Sequence, residues 1–265
     1  MLFKDQMHRT IRLESTPKRI VSLVPSQTEF LASLGLEEEM VGITKFCIHP
    51  EQWFRSKTRV GGTKNVNLDK VKSLQPDLIV ANKEENTQKD IEALMEIAPV
   101  WISDIYTLDD AFEMMLSLGE IFGKSALASE IVEKIRMQFE KFEAHLPAKI
   151  EGTVVYLIWK NPYMAVGSST FIDHLLTRCG FQNLLADQSR YPSWNPISDQ
   201  APDFIFLSSE PYPFKNSDIE ALKVLFPATH IQLVDGELFS WYGSRLLESV
   251  PYFEALIRSI CAERK

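Results

Sequence analysis

The sequence predicts an α/β protein built as two similar lobes, each with a mostly parallel sheet, joined by one long rigid helix. Three observations carry that expectation. Short apolar runs alternate with helical patterns along both halves of the 265 residues, the order of strands that pair in parallel beneath helices on both faces. A local pattern recurs: Gln75-Pro76-Asp77-Leu78-Ile79-Val80 and Ala201-Pro202-Asp203-Phe204-Ile205-Phe206 each set a proline and an aspartate before a buried strand. Between the halves, residues 124–146 contain neither Gly nor Pro.

Residues 19–24 (RIVSLV) read as a buried strand ended by Pro25. Ser26 with Glu29 then predicts a capping box opening a helix over 27–34, and Gly35 stops it where a left-handed residue is usual. Further strands are predicted at 41–44, 78–81 and 100–102, with helices over 87–97 and 107–122, the latter ending at Gly123. In the second half, strands are predicted at 153–158, 204–207 and 231–234. A helix over 171–179 is stopped by Gly180, one over 218–226 opens on a Ser217–Glu220 capping box, and one over 244–262 bends or breaks near Pro251. The repeat is far longer than a solenoid period, so it reads as two lobes.

Within 124–146, Leu127, Ile131, Ile135, Phe139, Phe142 and Leu146 form one apolar stripe, with Glu133, Lys134, Glu140, Lys141 and Glu143 off it. At ~1.5 Å per residue such a helix spans about 30–35 Å. It reads as a strut between an N-terminal lobe, 1–123, and a C-terminal lobe, 147–265; a flexible linker would carry Gly, Ser and Pro.

Hydrophobic residues make up 45% and charged residues 24%, as in ordinary globular proteins. Twenty-eight Lys and Arg against 36 Asp and Glu give a net charge of -8, which argues against a non-specific nucleic-acid binder, since that needs a basic stripe. No run of about 18 apolar residues predicts a membrane span. Cys47, Cys179 and Cys261 are too few and too scattered for a disulfide framework or a thiolate zinc site. The opening MLFKDQMHRTIRL lacks a secretory pattern, so the expectation is a chain that stays in the cytoplasm or one whose leader has been removed.

Phosphate loops, nucleophile elbows and paired-histidine metal motifs are missing, so no enzyme is expected and no catalytic or metal-ligating set is assigned. Cys47 and His49 read as a buried thiol and a loop imidazole. The loops after strands are more informative, because ligands of open parallel sheets sit at the strands' carboxyl ends. Second-half loops carry Trp159, Lys160, Tyr163 and Met164; Arg190, Tyr191 and Trp194; Glu210, Tyr212 and Phe214; and Phe239, Trp241, Tyr242 and Arg245. First-half loops carry Ser26, Lys45, Phe46, Lys64 and the run Asn82-Lys83-Glu84-Glu85-Asn86. Amphipathic rings with a few placed charges suit a large, partly apolar ligand bearing anionic groups. The ligand set is therefore Ser26, Lys45, Phe46, Tyr163, Met164, Arg190, Tyr191, Trp194, Phe239, Trp241, Tyr242 and Arg245.

The run from Arg19 to Glu29, followed by Val41-Gly42-Ile43, Asn67-Leu68-Asp69, the stretch Leu74 to Ile79, Asn161-Pro162 and Gly180, resembles the helical-backbone solute-binding proteins of ABC importers. The likeness runs from Pro17 to about Ile260 and is nearest to the cobalamin-binding members. It implies a ligand cleft between two lobes with little closure, a corrinoid, haem or ferric siderophore as ligand rather than a resident cofactor, an ABC permease as partner, a monomer, and a periplasmic location. Phe46 matches an aromatic cleft position and Trp194 lies close to another, whereas Thr63, Asn82 and Met164 stand where relatives carry aromatics. In a haem or bare-metal branch, Tyr163, Tyr191, Tyr242 or His49 would ligate. Docking on the permease by one carboxylate per lobe falls to Asp69 and Asp199. The competing expectation is a cytoplasmic metal- or cofactor-handling protein, or an enzyme, on the same scaffold.

Overall fold

The computed structural model describes residues 1–146, 150, 152–197 and 200–263. The chain forms two compact units: Met1–Ile105 with Asp109–Ile135 and Tyr242–Arg245, and Tyr106–Leu108 with Arg136–Trp241 and Leu246–Lys265.

The first unit holds a five-stranded parallel sheet in the spatial order Thr58–Arg59, Met40–Ile43, Ile20–Ser22, Leu78–Asn82, Val100–Ser103. The chain starts in the middle, winds out to one edge, then returns to build the other side, so strand order reverses at Ile20–Ser22. Every residue of the two central strands is buried, as a sheet covered by helices on both faces requires. Val21, Leu23, Val60, Ile79, Ala81 and Val100 anchor its core. Two antiparallel hairpins escaped the sequence reading. Leu2–Lys4 pairs with Thr10–Arg12, and Gly61–Gly62 pairs with Asn65–Val66 where a flexible loop was expected.

The first helix is Pro25–Ser33, and its N-cap is Val24 with no side-chain bond. The expected Ser26–Glu29 capping box does not form: Pro25 already fills the first helical position, where its lack of an N–H costs nothing, and the Glu29 carboxylate is taken by Arg245. Gly35, Gly123 and Gly180 all adopt positive φ after their helices, as expected.

The helix Ser125–Ala144 is unbroken, and the division between units falls inside it, after Ile135. Its first half lies close against the helix Leu108–Ile121. A Cβ on Gly119 would sit 2.4 Å from that of Ala128, so only glycine permits the approach. Ile131, Ile135, Phe139 and Phe142 are buried as predicted, but Ala128 and Val132 carry the stripe at its start, and Leu127 is left exposed.

In the second unit, Thr153–Trp159, Phe204–Ser208 and His230–Val234 run parallel, with Met164–Ala165 antiparallel on the outer edge and Gln182–Asn183 beside the start of the first strand. A chain of rings fills the space beneath: Phe139 and Phe142 meet Phe253, Phe253 meets Phe239 at 4.6 Å, and Phe239 meets Tyr156 at 5.3 Å. Phe239 has no exposed surface. It was expected to touch ligand, but the short helix Gly236–Ser240 turns it into the core. The helix Asn216–Leu225 starts two residues earlier than a Ser217 cap would set; the Asp218 carboxylate accepts from the Lys215 amide at 2.8 Å. The final helix, Leu246–Glu263, carries Pro251 inside it rather than breaking there.

The repeated Pro-Asp pattern has one structural job in both units. Asp77 accepts from the amides of Lys18 and Arg19 at 2.7 and 2.9 Å. Asp203 accepts from the amide and hydroxyl of Thr153 at 2.7 and 3.2 Å. Each carboxylate satisfies donors at the open start of the first strand of its unit's parallel sheet, which a parallel ladder leaves unpaired. Asp77→Ala and Asp203→Ala are each expected to lower unfolding free energy by about 1–2 kcal/mol in denaturant titrations, since bonds to a charged acceptor are the stronger kind. Phe239→Ala is expected to cost about 3–5 kcal/mol, the usual price of an emptied aromatic site; a loss under 1 kcal/mol would show that the ring is not part of the core.

Candidate functional site

In the first unit the carboxyl ends of the central strands open onto two loops, those after Ser22 and after Asn82. At this reversal of strand order an open α/β sheet offers its natural ligand crevice. Here a polar network fills it. Gln27 Nε2 and Asn82 Nδ2 both donate to Ser103 Oγ. Asn82 Oδ1 accepts the amides of Glu84 and Glu85 at 2.8 and 2.9 Å, and Asn86 ties its own loop to the Asn82 amide and to the Thr63 carbonyl. The Asn82 side chain and the Thr63 carbonyl are thus used structurally. Thr28 Oγ1 lies 2.7 Å from Ser22 Oγ and 3.1 Å from Cys47 Sγ, and burial raises the thiol pKa against the bonds from Thr28 and Thr44.

Tyr242 completes this network. It is buried, and burial pushes its phenol well above the ordinary range; the Glu85 and Glu84 carboxylates push the same way, against hydrogen bonds with Ser26 and Ser103. Gly243 follows, passing so close to the first helix that an added Cβ would lie 3.1 Å from that of Phe30. Arg245 then closes a two-pronged pair with Glu29, Nε to Oε2 at 2.9 Å and Nη2 to Oε1 at 2.6 Å. Tyr242 and Arg245, both expected to meet ligand from the second lobe, are built into the first unit instead. Ser26 is buried beside Tyr242. Ser26 and Tyr242 are thus buried in the first unit, and the Arg245 guanidinium is paired with Glu29.

Lys45 and Phe46 remain outward at the end of the strand Met40–Ile43. Phe46 is 49% exposed, with Lys45 Nζ 4.9 Å from its ring centre. The ring rests on Gly62, where a Cβ would come within 3.3 Å of it, and the Lys45 amide donates to the Gly61 carbonyl at 2.8 Å. The Gly61–Gly62 hairpin is therefore a seat for Phe46. Asp69 is exposed in the first turn of the helix Leu68–Ser73, whose start is capped by Asn67. Asp199, its expected counterpart, lies outside the described residues.

In the second unit Arg190 sits 5.7 Å from the ring centres of both Tyr106 and Tyr191, and its Nη1 donates to the Ser169 carbonyl at 3.2 Å. Two rings and one carbonyl fix a planar cation. Tyr163 and Met164 are half-buried; the Tyr163 ring meets Trp194 edge-on at 6.2 Å. Trp194 itself is 2% exposed and stacks on Phe226 at 5.6 Å, so it belongs to the core rather than to a ligand face. Trp241 is also buried; its Nε1 and the Ser240 hydroxyl both donate to Glu210 Oε1, at 2.8 and 2.7 Å. Burial raises the Glu210 pKa, and those two bonds oppose the rise. Trp241 thus holds a carboxylate in place instead of presenting a face.

Two residues of these loops went unselected by the sequence reading. Trp159 is 42% exposed, with the Tyr212 ring edge-on at 5.8 Å. The available signal was their place: Trp159 ends a strand whose interior is buried, and Tyr212 follows the next one. Two surface grooves of about 410 Å³ lie elsewhere, one lined by Arg9, Arg12, Met95 and Pro99, the other by Phe142, Leu146, Ile257 and Cys261. Neither contains a predicted ligand residue. Among the described residues, no three His, Cys, Asp or Glu side chains are grouped to hold a metal ion, and no helix is long and apolar enough to cross a membrane.

Comparison with known proteins fits this architecture. An uncharacterized ABC transporter substrate-binding lipoprotein of Bacillus subtilis (strain 168), YvrC, is 27% identical over 277 residues, spanning 97% of this chain and 84% of the relative. A vitamin B12-binding protein of Pectobacterium carotovorum (strain PC1) is 26% identical, spanning 87% of this chain and 85% of that one. The crystal structure of the periplasmic heme-binding protein HutB of Vibrio cholerae superposes with a TM-score of 0.76 at 19% identity, covering 90% of this chain and 98% of that one; at that identity the likeness is one of fold. Residues 20–224, most of the chain, match the profile of one family, and the chain accordingly belongs to the periplasmic binding proteins, a family of binding proteins rather than enzymes.

Proposed function

We propose that the protein captures a corrinoid, haem or ferric chelate and delivers it to the permease of an ABC importer. The observation that carries this reading is the near full-length match to an ABC transporter substrate-binding lipoprotein, on a fold that leaves rings and cations at the carboxyl ends of its strands. In the second unit Tyr163, Met164, Arg190 and Tyr191 are the ligand-facing side chains; Lys45 and Phe46 make the corresponding surface of the first. Arg190 meets an anionic group of the ligand, such as a carboxylate or phosphate, in its planar fork. The organisation that goes with this reading is an N-terminal lobe over 1–123, a backbone helix over 124–146 and a C-terminal lobe over 147–265 that gives residues 242–245 back to the first unit. Its place is the outer side of the cytoplasmic membrane, periplasmic or lipid-anchored, as its likeness to a substrate-binding lipoprotein and to the periplasmic binding proteins supports. Asp69 and Asp199 offer the permease one carboxylate each.

Native mass spectrometry of the protein with cyanocobalamin, haem, a ferric catecholate and a ferric hydroxamate is expected to show a 1:1 complex with at least one of them. Arg190→Ala is expected to weaken that complex about tenfold, or ~1.4 kcal/mol, with an unchanged thermal midpoint; failure of all four ligands to bind would falsify the reading. Asp69→Lys is expected to reduce stimulation of the cognate transporter's ATPase in proteoliposomes while ligand affinity stays within twofold. Wild-type stimulation by that variant would leave Asp69 an ordinary surface acid.

A further inference from the structure

Tryptophan usage in this fold is lopsided. Trp53, Trp101, Trp194 and Trp241 are buried, at 6% exposure or less, while Trp159 keeps 42% of its surface in water. Burying an indole is among the larger single gains available to a core, and the fold secures it four times. Trp159 forgoes it at the carboxyl end of the strand Thr153–Trp159, where ligands of open α/β sheets collect. Its surroundings are fixed. Tyr212 stands edge-on at 5.8 Å, braced by Phe214 at 4.7 Å, and the Tyr212 amide donates to the Ile158 carbonyl at 3.3 Å. That bond ties the second loop to the residue before Trp159. Trp159 is also in register with Met164 on the neighbouring strand. The next side chain, Lys160, is held away in an ion pair with Asp218. What remains outward is a rigid aromatic face with no charge of its own.

We propose that Trp159, steadied by Tyr212, is the surface on which the ligand stacks, and that the ligand therefore presents a flat conjugated face. This rests on the functional reading above and narrows it: a planar macrocycle or an aryl chelate gains from stacking on an indole, whereas an aliphatic hydroxamate chelate offers it no π face.

The test combines affinity with footprinting. Dissociation constants for haem, cyanocobalamin, a ferric catecholate and ferrioxamine are measured by equilibrium dialysis on wild type, Trp159→Ala and Trp159→Phe. Hydroxyl-radical oxidation of Trp159 is read by mass spectrometry with and without saturating ligand. The expected result is tightest binding of a planar or aryl ligand, at least tenfold weaker in Trp159→Ala and restored to within threefold in Trp159→Phe. Bound ligand should also protect Trp159 from oxidation. Because the indole is exposed, both variants should keep the wild-type thermal midpoint, which separates a contact from a packing role. Equal affinity in the alanine variant, undiminished oxidation under saturating ligand, or preference for ferrioxamine would overturn the stacking surface while leaving the importer reading intact. No binding of any ligand by wild type would overturn the functional reading and this inference together.

Discussion

A parallel sheet buried on both faces leaves only its ends for chemistry, and that constraint organises the whole molecule. Ile20–Ser22, Leu78–Asn82 and Phe204–Ser208 expose nothing along their lengths. Their backbone groups are paired within the ladders, and their side chains are committed to helices above and below. At the amino ends, where a parallel ladder runs out of partners, Asp77 and Asp203 supply acceptors. At the carboxyl ends the loops are free to vary, and there the exposed rings and placed cations occur: Phe46 with Lys45, Arg190 between two tyrosines, Trp159 with Tyr212.

The same constraint separates what the sequence reveals from what it hides. Strand cores were readable because a strand buried on both faces is a continuous apolar run, and 20–22, 78–82 and 204–208 fall within two residues of expectation. Helix stops were readable because a left-handed residue after a helix favours glycine. The hairpin Leu2–Lys4 with Thr10–Arg12 was not, since three-residue strands carry too little alternation to stand out. Loop position says least about which way a ring turns. Phe239, Trp194 and Trp241 sit in the predicted loops, yet each turns inward, and nothing in a local window distinguishes a ring that seals a loop from one that awaits a ligand. The outward ring, Trp159, is the last residue of its strand and keeps 42% of its surface in water.

Charge assignments fail for a related reason. The Ser26–Glu29 pair has the spacing of a capping box, but Glu29 is claimed by Arg245, 216 positions away. A local signal loses to a distant partner when the distant bond is two-pronged and shielded, because a paired charge out of water is costly to strand. Arg245, expected from the same local logic to meet an anionic ligand group, has its guanidinium on Glu29. The capping box is undone by that pair, and Tyr242, three residues before Arg245, is buried in the first unit.

The placement of Tyr242–Arg245 also sets an order of events during synthesis. Domains ordinarily fold as units in the order they leave the ribosome. Here the first unit, although it begins at Met1, takes its last four residues from near the end of the chain. Until they emerge, Glu29 has no counter-charge and Ser103 no phenol above it. The amino-terminal half of the protein therefore reaches its finished form only after most of the carboxyl-terminal half has been made, so a chain cut short before Tyr242 leaves an unclosed first unit as well as a damaged second one.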